Sequence, residues 1–149
     1  MKTTIYINKD FALIRKPHWI PSTFGEMESF LDLIKNNTSE HTITWTPLSE
    51  LVPAELFLLV TSHIESFEEV SSAEQFEEIL RQQVDTFGQD QEIGLLNRLD
   101  NETGGFLYFA RSPEAFAHFK SLQKSELVQK FYLAQIEWEL REQEILEFK

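Results

Sequence analysis

Residues 97–124 read NRLDNETGGFLYFARSPEAFAHFKSLQK, and the order of signals in this run decides the fold. Arg98 and Asp100 stand two apart, just before a Thr103-Gly104-Gly105 bend. Gly105 to Arg111, GFLYFAR, is apolar at odd and even positions, the pattern of a strand covered on both sides. Ser112-Pro113-Glu114 then supplies an N-cap, a proline at the first helical position and an early acid, predicting a helix to about Lys124 with Ala115, Phe119 and Leu122 on its buried stripe. Loop, covered strand and packed helix in succession place an ionic pair at the rim of a sheet.

Outward from this run, the apolar alternation continues on the C-terminal side. Val128 to Glu137 alternates with period two, which predicts a strand carrying Val128, Lys130, Tyr132, Ala134 and Ile136 on one face. Leu140 to Lys149 is acidic and reads as a terminal helix or a frayed end. On the N-terminal side, Phe76, Ile79, Leu80 and Val84 form a helical stripe within Ser72 to Thr86, with Gly88 as its stop. Leu48 to Val70 is read as helical from near Pro53, and Thr42 to Trp45 as a short edge strand.

Thr23 and Glu26 have capping-box spacing, and Met27, Phe30, Leu31 and Ile34 recur at helical intervals, predicting a helix over about 24–35. The opening residues read as a hairpin: Thr4 to Ile7 and Phe11 to Lys16 are extended, Asn8-Lys9-Asp10 turns, and Pro17 ends the second strand. The expected fold is therefore α+β, one domain over residues 1–149, with a mixed, mostly antiparallel sheet and flanking helices. Open sheet edges would favour self-association or a completing partner.

A chain of 149 residues, 42% hydrophobic and 13% aromatic, has enough apolar surface for a core. No apolar run approaches the ~20 residues that span a bilayer, and the start MKTTIYINKD lacks a signal-peptide layout, so no membrane association and a cytoplasmic location are expected. With no cysteine, thiol chemistry and zinc knuckles are excluded. His18, His41, His63 and His118 lie far apart, and no metal site is expected from them. Gly104-Gly105 lacks the lysine of a phosphate-cradling loop, so no nucleotide cofactor is expected either. The pairs Glu68-Glu69 and Glu77-Glu78 read as solvated helix faces.

The net charge of −12 is unevenly spread. Residues 37–94 hold one Lys/Arg and twelve Asp/Glu, whereas residues 1–36 and 95–134 each hold five and four. The acid is thus concentrated in the middle, in an insertion-like segment, and the flanks are close to neutral. Net charge does not exclude RNA, but no basic stripe is present to grip it strongly.

Taken alone, Arg98 and Asp100 read as a surface ion pair worth little. Their surroundings change that weighting. NRLDNETGG, FLYFAR, SPEAFAHF and KFYLA follow one another as do the catalytic loop, strand, Ser/Thr-Pro-Glu-Ala helix and Lys-x-Tyr-x-Ala strand of the RluA-type pseudouridine synthases, which this chain resembles. IYINKDFALIRKP is similar to the family's first hairpin, which ends in Lys-Pro. The resemblance covers about 55 residues in two blocks. The family usually has His where this chain has Asn97 and Ser where it has Gly104, and both changes leave Asp100 in place.

The resemblance implies an enzyme that isomerises uridine within RNA, ribosomal or transfer, by detaching the base, turning it and rejoining it through carbon, with no cofactor. It implies Asp100 as the nucleophile or charge stabiliser, a task suited to an ionised carboxylate beside an electron-poor sugar carbon. Tyr132 would stack on the flipped uracil or exchange its proton. Arg98 would fill the vacated space or hold phosphate, and Lys130, Asn97 and Thr103 would complete the substrate side. Such catalytic domains continue past Lys-x-Tyr-x-Ala to a basic segment whose arginine pairs with the aspartate, so the chain is expected to be the N-terminal part of one. A fragment, a shortened gene and a completing partner all remain open. The rival expectation is an inactive descendant that binds a basic protein, or RNA weakly, through its acidic segment.

Overall fold

The computed structural model describes residues 1–23, 27–37, 43–88, 92–135 and 137. The N-terminal hairpin forms as its sequence predicts. Strands β1 (Lys2–Thr3) and β2 (Ile5–Ile7) precede β3 (Phe11–Lys16), and β2 and β3 pair antiparallel with Ile5 opposite Ile14 and Ile7 opposite Ala12. Asn8 makes the turn, its Oδ1 accepting from the amides of Asp10 at 2.9 Å and Phe11 at 2.7 Å. This local side-chain bond is why Asn favours turns.

Helix α1 (Phe30–Lys35) starts later than the predicted 24–35. Its capping box is Ser29 with Asp32, not Thr23 with Glu26: Ser29 Oγ accepts from the Asp32 amide, and the Asp32 carboxylate accepts from the Ser29 amide. Glu26 lies outside the described residues, while Pro21 and Ser22 give their carbonyls to the amides of Phe30 and Leu31. Strand β4 (Thr44–Trp45) pairs parallel with β1 in a separate two-stranded sheet.

The stretch from Leu48 to Val70 is mostly helical, as α2 (Leu48–Leu51) and α3 (Ala54–Ser62), followed by the two-residue strand β5 (Glu68–Glu69). Glu69 is therefore not on a solvated helix face. Its carboxylate accepts from the Leu48 amide at 2.6 Å, the Tyr6 hydroxyl at 3.1 Å and the Thr4 hydroxyl at 3.4 Å. Those bonds tie α2 to the edge of the sheet. Helix α4 (Ala73–Phe87) is capped by Ser72 and stopped at Gly88, whose φ of +75° suits glycine.

Strand β6 (Gly105–Ala110) and helix α5 (Pro113–Lys124) complete the described elements, with Ser112 capping α5 as its sequence predicts. The main sheet has the order β5-β2-β3-β6, and β3 and β6 pair antiparallel from Phe11 opposite Ala110 to Lys16 opposite Gly105. Both faces are covered. Ile5, Ile14, Leu107 and Phe109 pack against Phe30, Ile34, Phe76, Ile79 and Leu80 of α1 and α4. Tyr6 and Leu13 pack with Leu48 and Ile64 on the opposite face. Burying one such side chain fully contributes about 1.5–3 kcal/mol, and the acidic stretch thereby supplies helices to both faces.

The predicted strand over Val128–Glu137 is not formed: residues 128–135 have no ladder partner. The reason lies at the sheet edges. The outer edge of β6 is taken by residues 94–97, through Ala110 N–H to Gly94 O at 2.9 Å and Leu96 N–H to Tyr108 O at 2.8 Å, and the other edge strand, β5, is two residues long. An alternating sequence without a neighbouring edge has nowhere to place its backbone hydrogen bonds. Ile136 and the acidic stretch 140–149 lie outside the described residues.

Candidate active site

Because Lys16 stands opposite Gly105, the chain leaving β3 and the loop entering β6 emerge side by side. Residues 16–22 and 98–104 are then joined by a series of hydrogen bonds. Ser22 Oγ donates to the Leu99 carbonyl at 2.7 Å and accepts from the Leu99 amide at 3.0 Å. Trp19 N–H donates to the Asn101 carbonyl at 2.6 Å. The His18 Nδ1 atom lies 2.7 Å from the Glu102 carbonyl and 3.2 Å from the Gly104 amide. Thr103 N–H donates to Asp100 O at 3.0 Å and closes the turn that carries the carboxylate.

Lys16 holds this assembly from below. It is fully buried, and its ammonium donates to the carbonyls of Ile20 at 2.6 Å, Pro17 at 3.1 Å and Asn101 at 3.3 Å. Burial pushes its pKa below the usual lysine value, while the negative charges of Glu102 and Asp100 act in the other direction. A cation enclosed by three carbonyls and faced by two carboxylates organises the loop electrostatically. Neither Lys16 nor Ser22 was singled out as a site residue from the sequence. The Lys-Pro at the hairpin's end is the available signal for Lys16, but its partner Asn101 is 85 residues away and Ser22's partner Leu99 is 77 away, and no local pattern marks either.

Asp100 itself is exposed on the wall of an open cleft of about 400 Å³ lined by Pro21, Ser22, Thr23 and Arg98 to Glu102. Among the described residues its carboxylate has no hydrogen bond or ion pair. Arg98 shares the cleft but pairs with Glu92, so the surface ion pair expected between Arg98 and Asp100 is not the one formed. Exchange of this exposed contact costs little, because such pairs contribute about 0–1 kcal/mol.

Asn97 is placed differently from a substrate contact. Its Oδ1 accepts from the Tyr108 amide at 2.7 Å and its Nδ2 lies 3.4 Å from the Phe106 carbonyl, so the side chain mimics one rung of a ladder along β6. Gly104 is set by His18: a Cβ there would stand 2.8 Å from the imidazole ring. Lys130 and Tyr132 are not brought to the cleft. They are exposed on the irregular segment after α5, and the neighbouring Phe131 ring lies 4.7 Å from that of His63, at the end of α3. Among the described residues there is no cluster of His, Asp or Glu that could hold a metal ion, and no helix is long and apolar enough to cross a membrane.

The arrangement can present the Asp100 carboxylate to an open cleft also lined by Glu102, with the Arg98 guanidinium paired to Glu92 beside it and a buried cation beneath. The model of a protein family described as RNA pseudouridylate synthase matches residues 10–149 of the chain. No curated protein and no solved structure matches it.

Proposed function

The chain belongs to the RNA pseudouridylate synthase family, whose members are RNA-modifying isomerases, and we propose that it converts uridine to pseudouridine in structured RNA through Asp100. The observation that carries this reading is the Asp100 carboxylate on the cleft wall, without a hydrogen bond or ion pair among the described residues, in a loop held by the Trp19 amide, the Ser22 hydroxyl and the buried ammonium of Lys16.

In the proposed reaction the N1–C1′ bond breaks and the carboxylate attacks or steadies C1′. The uracil turns, C5 bonds to C1′ and frees the carboxylate from it, the C5 hydrogen leaves as a proton and N1 is protonated. Atoms balance with no cofactor. The target base must leave its stack to enter the cleft. Arg98 exchanges Glu92 for the vacated space or for phosphate. Thr103 supports the turn, and Asn97 acts by holding the loop against β6. The stacking or proton-exchange role of Tyr132 and the support from Lys130 require their segment to move to the cleft when RNA binds.

The RluA-type pattern of the loop favours a ribosomal or transfer RNA in the cytoplasm as the substrate. The test is release of tritium from RNA labelled at uridine C5, because only rejoining through C5 expels that hydrogen. Wild type is expected to release it and Asp100→Asn to lose at least a hundredfold in rate; equal rates for the two would overturn the role of Asp100. A chain that releases none, yet binds a basic protein through Glu68, Glu77 and Glu78, would be an inactive descendant.

A further inference from the structure

We propose that Trp19 is a stacking platform for an unpaired base of the RNA, next to the uridine held at Asp100. The inference rests on the reading that this site works on RNA. Trp19 has a φ of +66° and is 73% exposed. The left-handed region is unfavourable for a bulky residue and is the natural place for glycine.

The backbone there has no freedom to relax. Trp19 N–H is bonded to Asn101 O, the Lys16 ammonium bonds the carbonyls of Pro17 and Ile20 on either side, and Ser22 is fixed to Leu99. These bonds explain the conformation of residue 19 but not its identity. An indole that is mostly in water does not offset the strain by packing, so folding gives no reason for tryptophan at this position. Strain retained where the surroundings enforce it is a mark of ligand-binding positions.

The neighbourhood supplies the ligand class. Trp19 does not line the cleft but is bonded to Asn101, which does and which follows Asp100, so this turn adjoins the place where a nucleotide flanking a uridine would lie. The cleft contains one cation, Arg98, on a chain of net charge −12, which leaves little phosphate attraction to hold RNA. Stacking on an aromatic ring needs no charge and tolerates any base. Extruding one base also unstacks its neighbours, which creates the free face that an indole can cover.

The experiment is a fluorescence titration of the full chain with a uridine-bearing RNA hairpin, with inorganic polyphosphate as the probe of charge alone. RNA is expected to quench wild type and polyphosphate to leave it unquenched. Trp19→Gly should lose most of the quench and bind the hairpin about 5–150-fold more weakly, with the loss in tritium release falling mostly on KM. The same variant should melt about 2–4 °C higher, because glycine relieves the left-handed strain, and Trp19→Phe should bind with intermediate affinity. Absence of quench in wild type, equal quench by polyphosphate, unchanged RNA affinity of Trp19→Gly, or a lower melting temperature for it would each overturn the proposal. Tritium release by wild type separates the two readings. RNA binding with quench but no release defeats the isomerase and leaves the platform standing, whereas release with an unchanged KM in Trp19→Gly defeats the platform alone.

Discussion

Ser22 and Leu99, 77 residues apart, exchange two hydrogen bonds through a single hydroxyl, which donates to the Leu99 carbonyl and accepts from its amide. Ser22 is 4% exposed, so water cannot easily replace it. Ser22→Ala is expected to cost about 1–3 kcal/mol of stability, the penalty for unpaired buried groups, and to lower the tritium-release rate more than RNA affinity. Urea melts and single-turnover kinetics check both parts, and an unchanged rate would show that this anchor does not position Asp100.

Lys16 makes a different prediction, because it carries charge. Lys16→Met keeps much of the buried stem but leaves the carbonyls of Pro17, Ile20 and Asn101 without their donor and removes the positive charge facing Asp100 and Glu102. Destabilisation of about 3 kcal/mol or more is expected, in the range for breaking a buried charged arrangement, together with faster hydrogen exchange at the amides of Trp19 and Leu99. Exchange that stays as slow as in wild type would show that the ammonium is dispensable to the loop.

Gly104 and His18 should behave as a coupled pair. A Cβ at position 104 would meet the His18 ring at 2.8 Å, so Gly104→Ser should destabilise by about 1–3 kcal/mol, the usual cost of overpacking. His18→Ala creates room. The double variant should then be more stable than the sum of the single changes, by about 0.5–3 kcal/mol of interaction energy, as read from chemical denaturation of all four proteins. Additivity would mean that the loop shifts freely.

Alkaline stability should report on Tyr6. Burial, and then the charge and hydrogen bond of Glu69, raise its pKa well above the ordinary 10.0. Above pH 10 the unfolded chain loses this proton while the folded chain keeps it, so stability falls with rising pH by up to about 1.4 kcal/mol per pH unit for each such group. Burial raises Tyr108 in the same sense, whereas Lys16, lowered by burial, opposes both as pH rises towards 10.5. Tyr6→Phe should therefore flatten the loss of stability above pH 10 in urea melts, and a slope identical to wild type would count against the assignment.

Several elements were legible in the residues because the forces that set them are local. Asn8 turns the first hairpin, the stripe of Phe76, Ile79, Leu80 and Val84 becomes α4 with Gly88 as its stop, Ser112 caps α5, and the doubly apolar run after Gly104 becomes the covered strand β6. The loop holding Asp100 was legible from its pattern of residues. Two errors share one cause. Ser29 rather than Thr23 caps α1, and the alternating residues after Val128 form no strand, because capping and alternation state what a segment can do and not whether a neighbour is present.

By itself, the sequence determined which segments turn, cap and alternate, since each of these follows from residues close together along the chain, and its resemblance to a family over two blocks nominated Asp100 beside Arg98. Only the tertiary structure decided that Arg98 pairs with Glu92, that Asn97 serves as a rung on β6, that Lys16 is buried under the loop and that Trp19 is held left-handed at its rim. The last two depend on the register that sets Lys16 opposite Gly105, a pairing fixed by long-range burial of both sheet faces, which no short stretch of the chain encodes.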